Sequence, residues 1–168
     1  LLNISIPKAT ELITLLEEQG LVMTTGRRNE GPGRKASVYS LAPDSFYFIG
    51  LEIKKYSINL GLMGFDQKVV SREIDIPFLY ESAEESLAKI VKLLHQFIEQ
   101  SGISKDKIAG LGCSISGRVN VHTGEILTFY HFGEAPVKKV LEDEFGIPVY
   151  LDNDSRALAY GEFHFGIR

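Results

Sequence analysis

The chain has 168 residues, 44% hydrophobic and 24% charged, with 18 basic side chains against 22 acidic ones and a formal net charge of −4. This is the composition of an ordinary soluble globular chain with room for a core, and no apolar run reaches the roughly eighteen residues of a membrane span. The start, Leu1-Leu2-Asn3-Ile4-Ser5, lacks the basic and long apolar segments of a secretion signal, so the expected location is cytoplasmic, with no membrane partner.

The first predicted helix covers residues 5–19. Ser5 is a good N-cap, Pro7 is tolerated in the first turn, and Gly20 supplies a stop. Leu12, Ile13, Leu15 and Leu16 form its apolar face, while Lys8, Thr10 and Glu11 lie nearer its start. Leu21-Val22-Met23 follows, then a loop rich in glycine and arginine over residues 26–35, and then the alternating segment Ala36-Ser37-Val38-Tyr39-Ser40-Leu41, which predicts a short strand. Charge is divided unevenly along the chain. Residues 1–43 carry five basic and four acidic side chains, and residues 44–168 carry thirteen and eighteen. The basic charge of the front is concentrated at Arg27, Arg28, Arg34 and Lys35. Such a cluster fits local contact with phosphate, and it fits equally a solvated loop without a partner.

Ala42-Pro43-Asp44 marks a turn and an expected domain boundary. Three strands are predicted at residues 47–53, 57–63 and 69–76, an antiparallel meander by their close spacing. The clearest helix spans residues 82–101: Ser82 and Glu85 form a capping-box pattern, Leu87, Ile90, Val91, Leu94 and Phe97 share a face, and Gly102 ends it. Residues 109–115 read as a buried strand, and within them the single cysteine, Cys113, is expected to be an inert buried thiol. Residues 117–129 form a predicted hairpin turning at His122-Thr123-Gly124, and Pro136 opens a short amphipathic helix that stops at Gly146. The apolar strand of residues 147–151 then runs into Asp152-Asn153-Asp154 and a helix rich in small residues. This sets Asn153 and Asp154 at a strand's carboxyl end, where open α/β sheets bind ligands. Either residue could equally cap the helix. No Cys/His cluster has zinc spacing and the four histidines are scattered, so no metal site and no cofactor are expected within these residues.

The run from Asp152 to Glu162 resembles the sugar-binding corner of the ROK family, which contains bacterial sugar kinases and sugar-responsive repressors on an actin-like ATPase (ribonuclease H-like) fold. The resemblance extends from Ser5 to Gly166. It implies an α/β chain in which residues 1–43 are a partial winged helix-turn-helix, with recognition helix and wing, and residues 44–168 are the N-terminal lobe of the sugar-binding domain. The second lobe is missing from the sequence, as expected of a fragment. Lys8, Thr10 and Glu11 are then the groove-facing residues of the recognition helix. Arg27 and Arg28 suit phosphate contacts. Gly31-Pro32-Gly33-Arg34-Lys35 looks like the family's glycine-arginine element, whose arginine can enter a narrow minor groove.

In the family's kinases, an acid, two glycines and a threonine after the first strand let backbone amides approach ATP. The corresponding run here is Glu52-Ile53-Lys54-Lys55-Tyr56, which argues against nucleotide binding and for a regulator. The resemblance makes Asp154 the catalytic base if the protein were a kinase and a hydrogen-bond acceptor for sugar if it is not, with Asn153, Gly117 and His131 as further ligand-binding residues. His131 also fits an ordinary half-buried position between Tyr130 and Phe132. Arg156 resembles the arginine of regulator members, and the family's zinc-binding cysteines would lie beyond Arg168. The implied protein is a transcriptional regulator of carbohydrate metabolism, probing operator DNA as a homodimer or higher oligomer and answering to a sugar or sugar-phosphate effector. The alternative is an ATP-dependent sugar kinase.

Overall fold

Capping chemistry sets the limits of the first helix in the computed structural model, which describes residues 3–28, 36–127, 132 and 136–166. Helix α1 (Ile6–Glu18) begins where the Ser5 side chain accepts the Lys8 N–H. It ends where Leu21 N–H donates to the Leu16 carbonyl and Gly20 N–H to that of Glu17, with Gly20 in the left-handed conformation. Strands β1 (Val22–Arg28) and β2 (Ala36–Leu41) pair antiparallel, and the Thr24 hydroxyl donates to Glu17 at 2.6 Å, tying the hairpin to α1. Here the sequence expectation needs correcting. Gly26, Arg27 and Arg28 continue β1, because a bulge between Thr24 and Gly26 absorbs the register shift and pairing runs on to Arg28 opposite Ala36. The residues expected to carry the rest of the loop, 29–35, lie outside the described residues. None of the residues of α1 is buried, and Leu12, Leu15 and Leu16 are all exposed.

Alternation builds the sheet that follows. Strands β3 (Tyr47–Ile53), β4 (Ser57–Gly64) and β5 (Val69–Pro77) form the expected meander, and β6 (Ile108–Ile115) and β9 (Val149–Asn153) add in parallel, in the order β5-β4-β3-β6-β9. Every second residue of β3 and of β4 is buried, so one face of each is apolar and the other is open. A small hairpin, β7 (Val119–Asn120) with β8 (Glu125–Ile126), follows β6 and turns where His122-Thr123-Gly124 predicted, with Gly124 at φ 75°.

Two helices cover the apolar face. Helix α2 (Ala83–Ser101) is capped by Ser82, whose Oγ accepts the Glu85 N–H and donates to the Glu85 carboxylate, and it stops at left-handed Gly102. It presents Ile90, Leu94, Phe97 and Ile98 to the sheet, while α3 (Val137–Phe145) presents Val137 and Leu141. The two helices touch through His95, which pairs with Glu144 at 2.7 Å and packs its ring on Phe145. A last helix, α4 (Asp154–Phe165), starts directly from β9 and has no buried residue. The core cluster begins at Tyr47 and contains no described residue of α1, β1 or β2. No described helix is long and apolar enough to cross a membrane.

Leu94 is fully buried and Leu158 on α4 is 67% exposed. Leu94→Ala is therefore expected to cost about 2–5 kcal/mol of unfolding free energy through the cavity it leaves, and Leu158→Ala less than about 0.5 kcal/mol, both measured by urea denaturation.

Candidate functional site

The carboxyl ends of β3, β6 and β9 finish level with one another. Ile53 lies opposite Ile115, and Ile115 opposite Asn153. This brings together Glu52, Ser114 and Asp152 on the open face, Asn153 at the last position of β9, and Ser116, Gly117 and Asp154 just past the strand ends.

Asn153 is first of all a helix cap. Its Oδ1 accepts the backbone N–H groups of Ser155 and Arg156 at 3.0 and 3.2 Å. Its Nδ2 donates to the Gly117 carbonyl at 2.8 Å and to Asp154 Oδ1 at 3.0 Å. Both donors and both acceptor sites of the amide are thus engaged. Two residues predicted for the site, Asn153 and Gly117, are joined directly by this bond, and Gly117 sits at φ 116°, a backbone conformation that favours glycine. Asp154 accepts the Ser116 hydroxyl on Oδ2 at 2.6 Å and the Ser155 N–H on Oδ1 at 2.7 Å. The Ser116 hydroxyl is the main cause that holds the Asp154 carboxyl below the ordinary range. Partial burial opposes it, and Ser155 and Asn153 add to it. Asp154 is therefore a carboxylate at neutral pH. Ser116 and Asp152 escaped sequence reasoning as site residues. Ser116 became visible only when β6 and α4 were brought together, and Asp152, on β9, meets Arg156 because α4 starts directly from that strand. Arg156 donates from Nε to Asp152 Oδ1 at 2.7 Å, with Nη2 at 2.5 Å from the same oxygen.

A cavity of about 1000 Å³ adjoins this cluster on the open sheet face, lined by Glu52, Asn59, Ser114, Asp152, Arg156 and Tyr160 among others. Its described lining includes Asp152 but not Asn153, Asp154 or Gly117. At its rim Asn59 donates to Glu52 at 2.6 Å, and Lys54 Nζ stands 3.6 Å from Glu52 and 3.9 Å from Asp75. The turn between β3 and β4 is closed by Lys54 N–H donating to the Ser57 carbonyl at 2.9 Å, with Lys55 Nζ over the Tyr56 ring. Cys113 belongs to the strand that floors the cavity but is itself buried, and burial pushes its thiol up to about 12, which disfavours the reactive thiolate. Among the described residues no cluster of three or more His, Cys, Asp or Glu is arranged to hold a metal ion.

At the front, Lys8 and Glu11 pair at 2.8 Å on the exposed side of α1, and the Thr10 hydroxyl donates to the Ile6 carbonyl at 3.0 Å. Arg27 is exposed on β1, and Arg28 pairs through its backbone with Ala36. Arg34, Lys35 and His131 lie outside the described residues.

A sequence profile described as the ROK family matches residues 48–168. The xylose repressor of Caldicellulosiruptor bescii is 25% identical over 97% of this chain and 42% of its own length. The chain thus spans about two fifths of the curated relatives it matches. Among solved structures, a ROK family transcriptional regulator, a homologue of the E. coli MLC protein, superposes with TM-score 0.73 over 96% of this chain and 41% of its own, at 18% identity. The ROK hexokinase of Thermus thermophilus superposes with TM-score 0.60 over 73% of this chain and 38% of its own, at 23% identity.

Because the folded carboxyl of Asp154 is held low, its stabilising effect is fully present above the ordinary carboxylate range and is lost as the pH falls through the folded value. A carboxyl-carbon NMR titration should find Asp154 among the lowest-titrating aspartates, and Ser116→Ala should move it upward. An unmoved midpoint would remove Ser116 from that role.

Proposed function

Because the chain belongs to the ROK family, whose profile covers residues 48–168, we propose that it carries the DNA-contacting front and the effector-binding lobe of a sugar-responsive transcriptional repressor of carbohydrate-metabolism genes. The observation that carries this reading is coverage. Similarity to the xylose repressor runs through 97% of the chain and the regulator fold through 96%, which takes in α1 and the β1–β2 hairpin. The hexokinase fold is met over only 73%. A protein that only phosphorylated a sugar would have no use for a helix and a basic hairpin ahead of the lobe.

In this reading residues 1–43 are the recognition helix and wing of a winged helix-turn-helix, and residues 44–168 are one lobe of an actin-like fold. Lys8, Thr10 and Glu11 meet the major groove, with Lys8 exchanging Glu11 for DNA. Arg27, Arg28 and Lys35 contact phosphate, and Arg34 enters the minor groove. The exposed leucines of α1 suit helices packed on them from outside these residues, as a winged helix-turn-helix requires. The turn at Lys54 supports regulation over catalysis: its amide is bonded within the hairpin and its ammonium faces Glu52 and Asp75, whereas a phosphate cradle needs open amides and close approach. Asp154, oriented by Ser116 and Asn153, accepts a hydroxyl of the effector, and in this reading Gly117 and His131 are further ligand-binding residues. The effector acts by binding one of two states of a homodimer more tightly than the other, the state in which the paired recognition helices no longer match the operator.

Fluorescence anisotropy of the intact polypeptide on a selected operator tests this, with xylose, which the relatives' names put first, and a panel of hexoses and sugar phosphates. One sugar should release the DNA, and Asp154→Ala should raise the concentration required about tenfold or more, the worth of one charged hydrogen bond, with little change in DNA affinity. ATP-dependent sugar phosphorylation abolished by Asp154→Asn would overturn the reading in favour of a kinase. Arg34→Ala should weaken operator binding more than binding to random DNA. Arg27→Ala should weaken both alike and lower the salt slope by about one.

A further inference from the structure

Helix α1 carries large apolar residues on two different sides. At about 100° per residue, Leu12, Leu15 and Leu16 centre on one side, and Ile6 stands about 130° round the helix from them. Those leucines are partly sheltered, at 39%, 47% and 37% exposure, whereas Ile6 is 84% exposed. No other described large apolar side chain is as open. Helices packed on the leucines leave Ile6 uncovered.

Ile6 belongs instead to the row that runs through Thr10 and Ile13 to Glu17, which lies within about 20° of it round the helix. Glu17 accepts the Thr24 hydroxyl at 2.6 Å, so the β1–β2 hairpin is tied to this same row, near its other end. Ile6 therefore stands at the start of α1, on the side where the hairpin lies. The polar groups around it are engaged with one another. The Thr10 hydroxyl donates to the Ile6 carbonyl at 3.0 Å, Lys8 Nζ pairs with Glu11 at 2.8 Å, and Ser5 Oγ accepts the Lys8 N–H. Isoleucine is only a middling helix former. Neither propensity nor packing among the described residues accounts for it at this position.

We propose that Ile6 reads thymine, its side chain meeting the C5-methyl group of one thymine in each operator half-site as the start of α1 enters the major groove. The assignment rests on the regulatory reading and extends it to base identity. Chemistry selects the partner. Thymine alone presents an apolar group in the major groove, so an aliphatic side chain distinguishes it from the other three bases. A β-branched side chain in a helix keeps largely to one χ1 rotamer, so Ile6 loses little freedom when a methyl group is set against it. Phosphate contacts elsewhere on the front position the helix without reading sequence.

The test begins with operators selected by the intact polypeptide from a pool of random duplexes. Each thymine is then replaced by deoxyuridine, which lacks only the C5-methyl, and affinity is followed by fluorescence anisotropy at constant salt. One such replacement per half-site should weaken binding about fourfold, the worth of one methyl removed from water, and about fifteenfold when made in both. With Ile6→Ala the same replacements should change nothing. The exposure of Ile6 makes that variant harmless to folding, and urea denaturation should show an unchanged midpoint. A selected operator in which no thymine responds to deoxyuridine would overturn the assignment and leave the regulatory reading standing. A loss of equal size in the unaltered protein and in Ile6→Ala would also overturn it, because the methyl group would then act through duplex shape. Enrichment of no sequence at all would remove the regulatory reading, and the role of Ile6 with it.

Discussion

Ile53 on β3 stands opposite Ile115 on β6, Ile115 stands opposite Asn153 on β9, and both isoleucines are fully buried. The lobe depends on that register. Side chains alternate with a period of two, so a slip of one residue would turn Ile53, Ile115 and Leu151 outward and bring Glu52, Ser114 and Asp152 into the core. Unpaired burial of such groups costs several kcal/mol each, so the register is strongly specified. Its consequence is chemical: the strands end at one level, and the polar residues that follow them converge on one place.

At that place a helix cap and a partly buried carboxylate fall to neighbouring residues. Asn153 closes the start of α4 and bonds to both Gly117 and Asp154. Asp154 keeps Oδ2 bonded only to Ser116 among the described residues, with room for another donor. The cap and the carboxylate are thus one bonded unit. A helix start that holds Asn153 also holds the carboxylate, and the paired Arg156 and Asp152 secure the same corner from the cavity side.

The front of the chain obeys different physics. It has capped ends, a paired hairpin and a bond from Thr24 to Glu17, yet none of its described residues joins the core cluster. Leu12, Leu15 and Leu16 of α1 remain exposed, and the charge of the front is opposite in sign to that of the rest. The lobe in turn leaves one sheet face half covered. Both features leave apolar side chains exposed among the described residues, Leu15 on α1 and Phe48 on β3 for example.

Local chemistry was legible from the residues alone. Ser5, Gly20, Ser82, Gly102 and Gly146 bound the helices where capping rules place them, and the strands of the meander lie within a residue of their predicted limits. The extent of β1 was not legible, because a bulge at Gly26 depends on the opposite strand. The pair Asn153 and Asp154 could be read as important from its position after a strand, but its division of roles could not. Ser116 is 38 residues from Asp154, and only the pairing of β6 with β9 brings the two within a hydrogen bond. Short-range forces (caps, turns and the alternation of apolar side chains) act between residues close in sequence, so the sequence determined the elements and their inward faces. Which hydroxyl meets which carboxylate was decided by long-range register, which exists only once the sheet has formed.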